Sequence, residues 1–252
     1  MTEESTNTQE SFVFKFDAKK WETYPIGLHK KNIAKGEQAL KNTMERIMKL
    51  LPGIKKSSKL LVLSQGNTQI AEFLAHEYMC GVDIMCNTAA QAKEVEKAIK
   101  GNELYEKVTV KHNSFNELML DREHYDIAFS IAELFNEDDT LPLFKEIARS
   151  LVPEGRFIML EVFDTFEDEV ELKGYENITS IDNILRRGRR ADLERVYAKL
   201  LPEKTIQYYK GLVDKSSASI KGDSLSRLNK LNDYANGNAI NWGIIQFQKR
   251  NI

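Results

Sequence analysis

Lys59-Leu-Leu-Val-Leu-Ser-Gln-Gly-Asn-Thr-Gln-Ile-Ala-Glu-Phe-Leu-Ala75 is the stretch on which the reading of the chain turns. Its front half, Leu60 to Leu63, is an uninterrupted apolar run, the pattern of a parallel strand buried on both faces. Its back half sets Ile70, Phe73 and Leu74 at three- and four-residue steps, the spacing of a helix. Between them Ser64-Gln-Gly-Asn-Thr68 makes a polar turn. A strand, a tight turn and a helix in that order aim the helix's unpaired N–H groups and positive dipole end past the strand's carboxyl end, where open α/β sheets bind ligands. Ser64, Gly66 and Thr68 are therefore candidate ligand residues. A dinucleotide-type fingerprint carries glycine at all three positions, and only Gly66 keeps it here.

Outward from that stretch the pattern repeats. Upstream, the spacing predicts an amphipathic helix from Ala34 to Leu51, closed by Pro52-Gly53. Downstream come a second strand, Gly81-Val-Asp-Ile-Met-Cys86, ending at Asn87-Thr88, and a charged helix from Ala89 to Lys100. A third strand at Val108-Thr-Val-Lys111 runs into His112-Asn-Ser-Phe115, and a fourth spans Tyr125 to Ile131. A helix from Leu141 to Leu151 and the turn Pro153-Glu-Gly155 lead to a fifth strand, Arg156 to Phe163. Strands alternating with helices at this spacing predict right-handed βαβ units and a doubly wound, mostly parallel, Rossmann-like sheet. After Asp164 the pattern reads as an acidic loop and helices, with no strand until Asn241-Trp-Gly-Ile-Ile-Gln-Phe-Gln248. Late helices of this kind are expected to form a lid over the carboxyl edge of the sheet.

The 252 residues are 42% hydrophobic and 29% charged, an ordinary globular composition. A net charge of -2 gives no overall attraction to nucleic acid or anionic membrane, so neither partner is expected. Cys80 and Cys86 stand too close in sequence for a disulfide framework, and the four histidines are scattered, so reduced thiols, no metal and a cytoplasmic location are expected. There is no leader-like segment and no long apolar run.

The order of pieces resembles a class I S-adenosylmethionine-dependent methyltransferase. Tyr125-Asp-Ile-Ala-Phe-Ser130 followed by Leu143-Phe-Lys-Glu-Ile-Ala-Arg-Ser-Leu-Val-Pro-Glu-Gly-Arg-Phe157 is similar to that family's "FDxVxS … EexaRvLkPGGrf" run, with Glu154 in place of the first glycine. A narrower likeness, to sarcosine and dimethylglycine N-methyltransferases, rests on Ile26-Gly-Leu-His29, Asn113-Ser-Phe-Asn116 and the ending Asn241 to Lys249. The family's first motif, "VLDLGxGxG", is degenerate here: Ser64 and Thr68 replace two glycines. The acid that usually ends the second strand is replaced by Cys86 or Asn87, with Asp83 too early.

The resemblance implies S-adenosylmethionine as cofactor, held by Ser64, Gly66, Thr68, Asn87, Asn113, Ser114, Phe115 and Ser130. It implies a small-molecule acceptor, with Glu133 and His29 as catalytic candidates and Trp21, Tyr24 and Leu134 against the substrate. It divides the chain into a tail and substrate-closing arm at 1–33, the core at 34–163, a helical lid at 164–239 and a closing antiparallel strand at 240–252. The expected activity is N-methylation of a small amine. A catalytically silent methyltransferase-like protein with a regulatory or partner-binding role is the alternative from another class, and a repurposed pocket with different chemistry is a third; a homodimer or a methyltransferase paralogue is the protein partner considered. The run Arg186, Arg187, Arg189 and Arg190 reads as a solvated helix face rather than a carboxylate clamp.

Overall fold

The computed structural model describes residues 36–51, 53–64, 68–100, 106–131, 134, 139–165, 178–216 and 223–251. In chain order the elements are α1 (Gly36–Met48), β1 (Lys59–Ser64), α2 (Gln69–Tyr78), β2 (Gly81–Cys86), α3 (Ala89–Ile99) and β3 (Val108–His112). A 3-10 turn at Phe115–Glu117 precedes β4 (Tyr125–Ile131), α4 (Leu141–Ser150) and β5 (Leu151–Asp164). The remainder is α5 (Ile181–Arg190), β6 (Leu193–Leu200), α6 (Pro202–Ser216), α7 (Asp223–Asn236) and β7 (Ile240–Lys249). They build one seven-stranded sheet in the order β3-β2-β1-β4-β5-β7-β6. The first five strands in that order are parallel, and β7 runs antiparallel to both its neighbours.

Alternation of side chains along the strands loads both faces. Leu60, Val62, Ile84, Ile127, Phe129 and Ile158 share one core with α1, α2, α3, α6 and α7. Leu61, Leu63, Met85, Ala128, Phe157 and Met159 share the other with α4 and α5. Each fully buried large side chain stabilises the sheet by about 1.5–3 kcal/mol, which is why the central strands read as continuous apolar runs. Strand order reverses direction of travel between β1 and β4, so the ligand crevice of this fold lies beyond their carboxyl ends.

Three expectations are corrected. The first helix spans Gly36–Met48 rather than reaching Leu51, since the chain turns at residues 49–50 ahead of Pro52. The stretch expected to hold only helices between 164 and 239 contains β6, which pairs antiparallel with β7 from Leu193↔Lys249 to Leu200↔Gly243. Its sequence Leu193-Glu-Arg-Val-Tyr-Ala-Lys-Leu200 is exposed or half-buried after Leu193, as an edge strand blunted with charge is, and so lacks the apolar run of its neighbours. The fifth strand starts at Leu151 and carries Pro153-Glu-Gly155 as an irregularity between its rungs to Tyr125 and Ile127.

That irregularity explains the Glu-Gly pair. Glu154 takes φ 63, the left-handed region that costs an L-residue about 1–2 kcal/mol. A Cβ on Gly155 would stand 2.8 Å from the Val152 carbonyl oxygen and 3.2 Å from that of Asp126. The second glycine of the turn is therefore required by space, and the first is replaceable at the expense of strain.

Candidate functional site

Ser64 closes β1 and pairs in register with Cys86 of β2, while its neighbour Leu63 pairs with Ser130 of β4. The two serines therefore flank the reversal point of the sheet, and both are buried. Thr68 is the N-cap of α2 with φ -95 and ψ -23, and its side chain makes no capping hydrogen bond. Among the described residues neither Ser64 nor Thr68 has a positive φ. The loss of two motif glycines thus leaves ordinary backbone dihedrals at both positions, and the first-turn amides of α2 still face the crevice.

The ends of β2 and β3 are tied together across it. Asn87 Oδ1 accepts from the Phe115 backbone N–H at 2.8 Å, and the Asn113 N–H donates to the Cys86 carbonyl at 3.0 Å. Asn87, Asn113, Ser114 and Phe115 are therefore brought to one place, with the Phe115 ring buried in the α4-side core. Asp83 serves elsewhere: its Oδ2 accepts from Lys111 Nζ at 2.7 Å and from the Tyr125 hydroxyl at 2.8 Å, three residues before the strand ends. Burial, and then the bond to Asp83, push the Tyr125 phenol far above its ordinary range and hold it neutral.

The residue that sequence reasoning missed is Glu161. It lies on β5 just past the last β4–β5 rung, Ile131↔Leu160, and is only 2% exposed. Its Oε1 accepts from Ser130 Oγ at 2.6 Å and from the Leu134 backbone N–H at 3.3 Å. An O–H···O separation of 2.6 Å is that of a direct, well-formed hydrogen bond. Ser130 and Leu134 are thus brought together by a carboxylate at the carboxyl edge of the sheet. A signal for it was present: one acid inside the apolar run Phe157-Ile-Met-Leu-Glu-Val-Phe163.

Next to it, the rim between β5 and β7 is a polar lattice. Asn241 Nδ2 donates to Thr165 Oγ1 at 3.1 Å and to Asn238 Oδ1 at 2.8 Å, and Thr165 Oγ1 donates to the Asn238 carbonyl. Asn241 pairs with Phe163, so its side chain shares a face with Glu161. On the opposite face Tyr208 meets Trp242 edge-on at 5.4 Å, and burial raises its phenol above the ordinary range. Trp21, Tyr24, His29, Gly66 and Glu133 lie outside the described residues. Among the described residues no cluster of His, Cys, Asp and Glu is placed to hold a metal, and no helix is long and apolar enough to cross a membrane.

This architecture, a doubly wound sheet with an antiparallel seventh strand and a polar crevice over β1 and β4, is the Rossmann-like fold of class I methyltransferases. Residues 61–159, which run from β1 into β5, match the family described as "Methyltransferase domain". Over that segment, under half of its length, the chain is similar to methyltransferase domains. No curated protein sequence matches the chain.

Solved structures share the fold across nearly the whole chain. One assigned as a sarcosine dimethylglycine methyltransferase, from Galdieria sulphuraria, superposes with a TM-score of 0.79 at 20% identity, covering 90% of this chain and 94% of that one. The [4+2]-cyclase SpnF gives 0.76 at 16%, covering 90% and 88%. A geranyl diphosphate C-methyltransferase from Streptomyces coelicolor A3(2), in complex with Mg2+, geranyl diphosphate and S-adenosyl-L-homocysteine, gives 0.72 at 14%, covering 91% and 89%.

Proposed function

We propose that the protein moves a methyl group from S-adenosylmethionine to the nitrogen of a small amine. The observation that carries the acceptor class is Glu161, a carboxylate buried at the carboxyl edge of the sheet and held by Ser130 and Leu134. A carboxyl group at that edge, beside the Ser130 hydroxyl, has the chemistry to pair with the nitrogen of an amine acceptor. Ser64, Thr68, Asn87, Asn113 and Ser114 would hold the cofactor, and the ordinary dihedrals at Ser64 and Thr68 fit a backbone that still cradles it. Bound there, S-adenosylmethionine supplies an electrophilic methyl group. Glu161 would take a proton from the bound ammonium and so free the nitrogen lone pair that accepts the methyl group, while the chain's other residues would orient the acceptor and exclude water.

Asn87 is the weak point of the cofactor site. Its amide forgoes the charge-assisted bond that an acid gives a ribose hydroxyl, a difference of about 1 kcal/mol. The narrower likeness to a sarcosine and dimethylglycine enzyme supports an amine acceptor. The test is calorimetric titration of the full chain with S-adenosylmethionine and S-adenosylhomocysteine, followed by a screen of primary, secondary and tertiary amines. Micromolar binding, about -8 kcal/mol, with turnover of an amine is the expected result. Absence of cofactor binding at millimolar concentration refutes the reading, and cofactor binding with turnover only of oxygen or carbon acceptors refutes its amine half.

A further inference from the structure

Arg186, Arg189 and Arg190 of α5 are exposed, as a solvated helix face is, and two of them line a cleft. Arg186 and Arg189 converge with Arg195 of β6 and Arg250 around a cleft of about 500 Å3. Leu185 and Leu193 give it an apolar portion. Asp182 and Glu194 also line it, yet among the described residues none of the four guanidinium groups is in an ion pair, in contrast to Arg149 with Glu146 and Lys111 with Asp83. A second cleft shares Arg250 and holds Arg122, Lys145, Arg190 and Lys249, with Glu123 and Asp192 among them and Glu123 paired with both Arg122 and Lys249. This concentration stands out in a chain whose net charge is -2.

Its place in the fold separates it from the methyl-transfer crevice. Leu193 pairs with Lys249, and the neighbouring Gln248 pairs with Arg156 at the start of the β5–β7 ladder. That is the amino-end edge of the parallel strands, opposite the edge where Ser64 and Ser130 lie. Clustered guanidinium groups left without carboxylate partners repel one another, a cost that an anion of high charge density removes. The guanidinium fork fits phosphate oxygens two at a time, and a cleft of this size is that of a small-ligand site. Asp182 and Glu194 interrupt the positive track that an extended nucleic-acid backbone needs.

We propose that this cleft is a second ligand site, remote from methyl transfer, for a small molecule carrying a di- or triphosphate. The test is calorimetric titration of the full chain, at physiological ionic strength, with orthophosphate, pyrophosphate, tripolyphosphate and ADP. Saturable one-to-one binding of pyrophosphate and tripolyphosphate, roughly tenfold tighter than orthophosphate, is expected. Arg186→Ala and Arg195→Ala each weaken it roughly tenfold, and Arg186→Lys, which keeps the charge but loses the fork, still weakens it. Unchanged melting curves of these variants show the fold intact. ADP binding more tightly than pyrophosphate marks a nucleotide as the ligand, and equal affinity marks the phosphate chain alone. Equal affinity for ortho- and pyrophosphate, or pyrophosphate binding undiminished in both alanine variants, overturns the proposal. So does an oligonucleotide that displaces pyrophosphate with an affinity growing with its length.

Discussion

Replacing Glu161 by glutamine separates its charge from its shape. The amide keeps an oxygen where Oε1 accepts from Ser130 Oγ at 2.6 Å and from the Leu134 N–H at 3.3 Å, so the link between β4, the following segment and β5 persists. What disappears is a buried negative charge. Folding stability should hold or rise slightly, since an uncharged group is cheaper to bury. Binding of an ammonium acceptor should lose one charge-assisted hydrogen bond, about 1.5–3 kcal/mol, which corresponds to a roughly 10- to 150-fold fall in kcat/KM. The assay is steady-state kinetics on the best amine at saturating cofactor, with cofactor affinity and melting temperature measured on the same preparation. If Glu161→Gln keeps kcat/KM within about twofold while the cofactor binds normally, the carboxylate is a scaffold for Ser130 and Leu134 and the reasoning about the acceptor is wrong.

Other perturbations follow from single contacts. Asn87→Ala strands the Phe115 N–H and should destabilise by about 1–3 kcal/mol in urea titration, whereas Asn87→Asp keeps that bond and should tighten S-adenosylmethionine binding several-fold. Gly155→Ala should cost about 1–3 kcal/mol, because its Cβ has no room beside the Val152 carbonyl. Glu154→Gly should stabilise by roughly 0.5–1 kcal/mol, the left-handed strain relieved less the entropy that glycine loses on folding. Glu146 is held below the ordinary carboxylate range by its hydrogen bonds to Arg149, the burial of its carboxyl opposing this in part. A lowered folded value means stability present above the ordinary carboxylate pKa and lost as pH falls through the folded one. The gap in stability between wild type and Glu146→Gln should therefore be full at neutral pH and close below about pH 4 in denaturant titrations.

The parts of the fold legible in sequence were those whose burial is two-sided. Leu60 to Leu63 and Tyr125 to Ile131 are buried almost throughout, so their apolar runs announced parallel strands without help from context. β6 was illegible for the converse reason, since an edge strand exposing Glu194, Arg195 and Val196 has the composition of a helix surface. At the candidate site, Asn87 and Asn113 were singled out because ends of strands are where ligands go, and the structure brings the two together. The bond that Asn87 makes could not be read, because its partner Phe115 is 28 residues away. Glu161 was overlooked because it sits inside a strand rather than at its end, and only the register of β5 against β4 sets it at the rim. The arginine cleft shows the same limit: Arg186 and Arg189 were visible as a run, but Arg195 and Arg250 join them only through the pairing of β6 with β7.

The position of β7 bears on how the molecule is made. It is the last strand in chain order, yet it lies between β5 and β6, pairing Asp164 with Ile240 and Arg156 with Gln248. At typical elongation rates the ribosome needs roughly 4 to 15 s to travel from residue 164 to residue 240. Through that interval β5 presents an unpaired edge that is apolar except for Glu161 from Phe157 to Phe163, and β6 has no neighbour to register against. The nascent chain is therefore open to misassociation at β5 after its parallel strands exist and before its sheet is complete, and a chaperone that shields β5 over this window would raise the yield of folded protein.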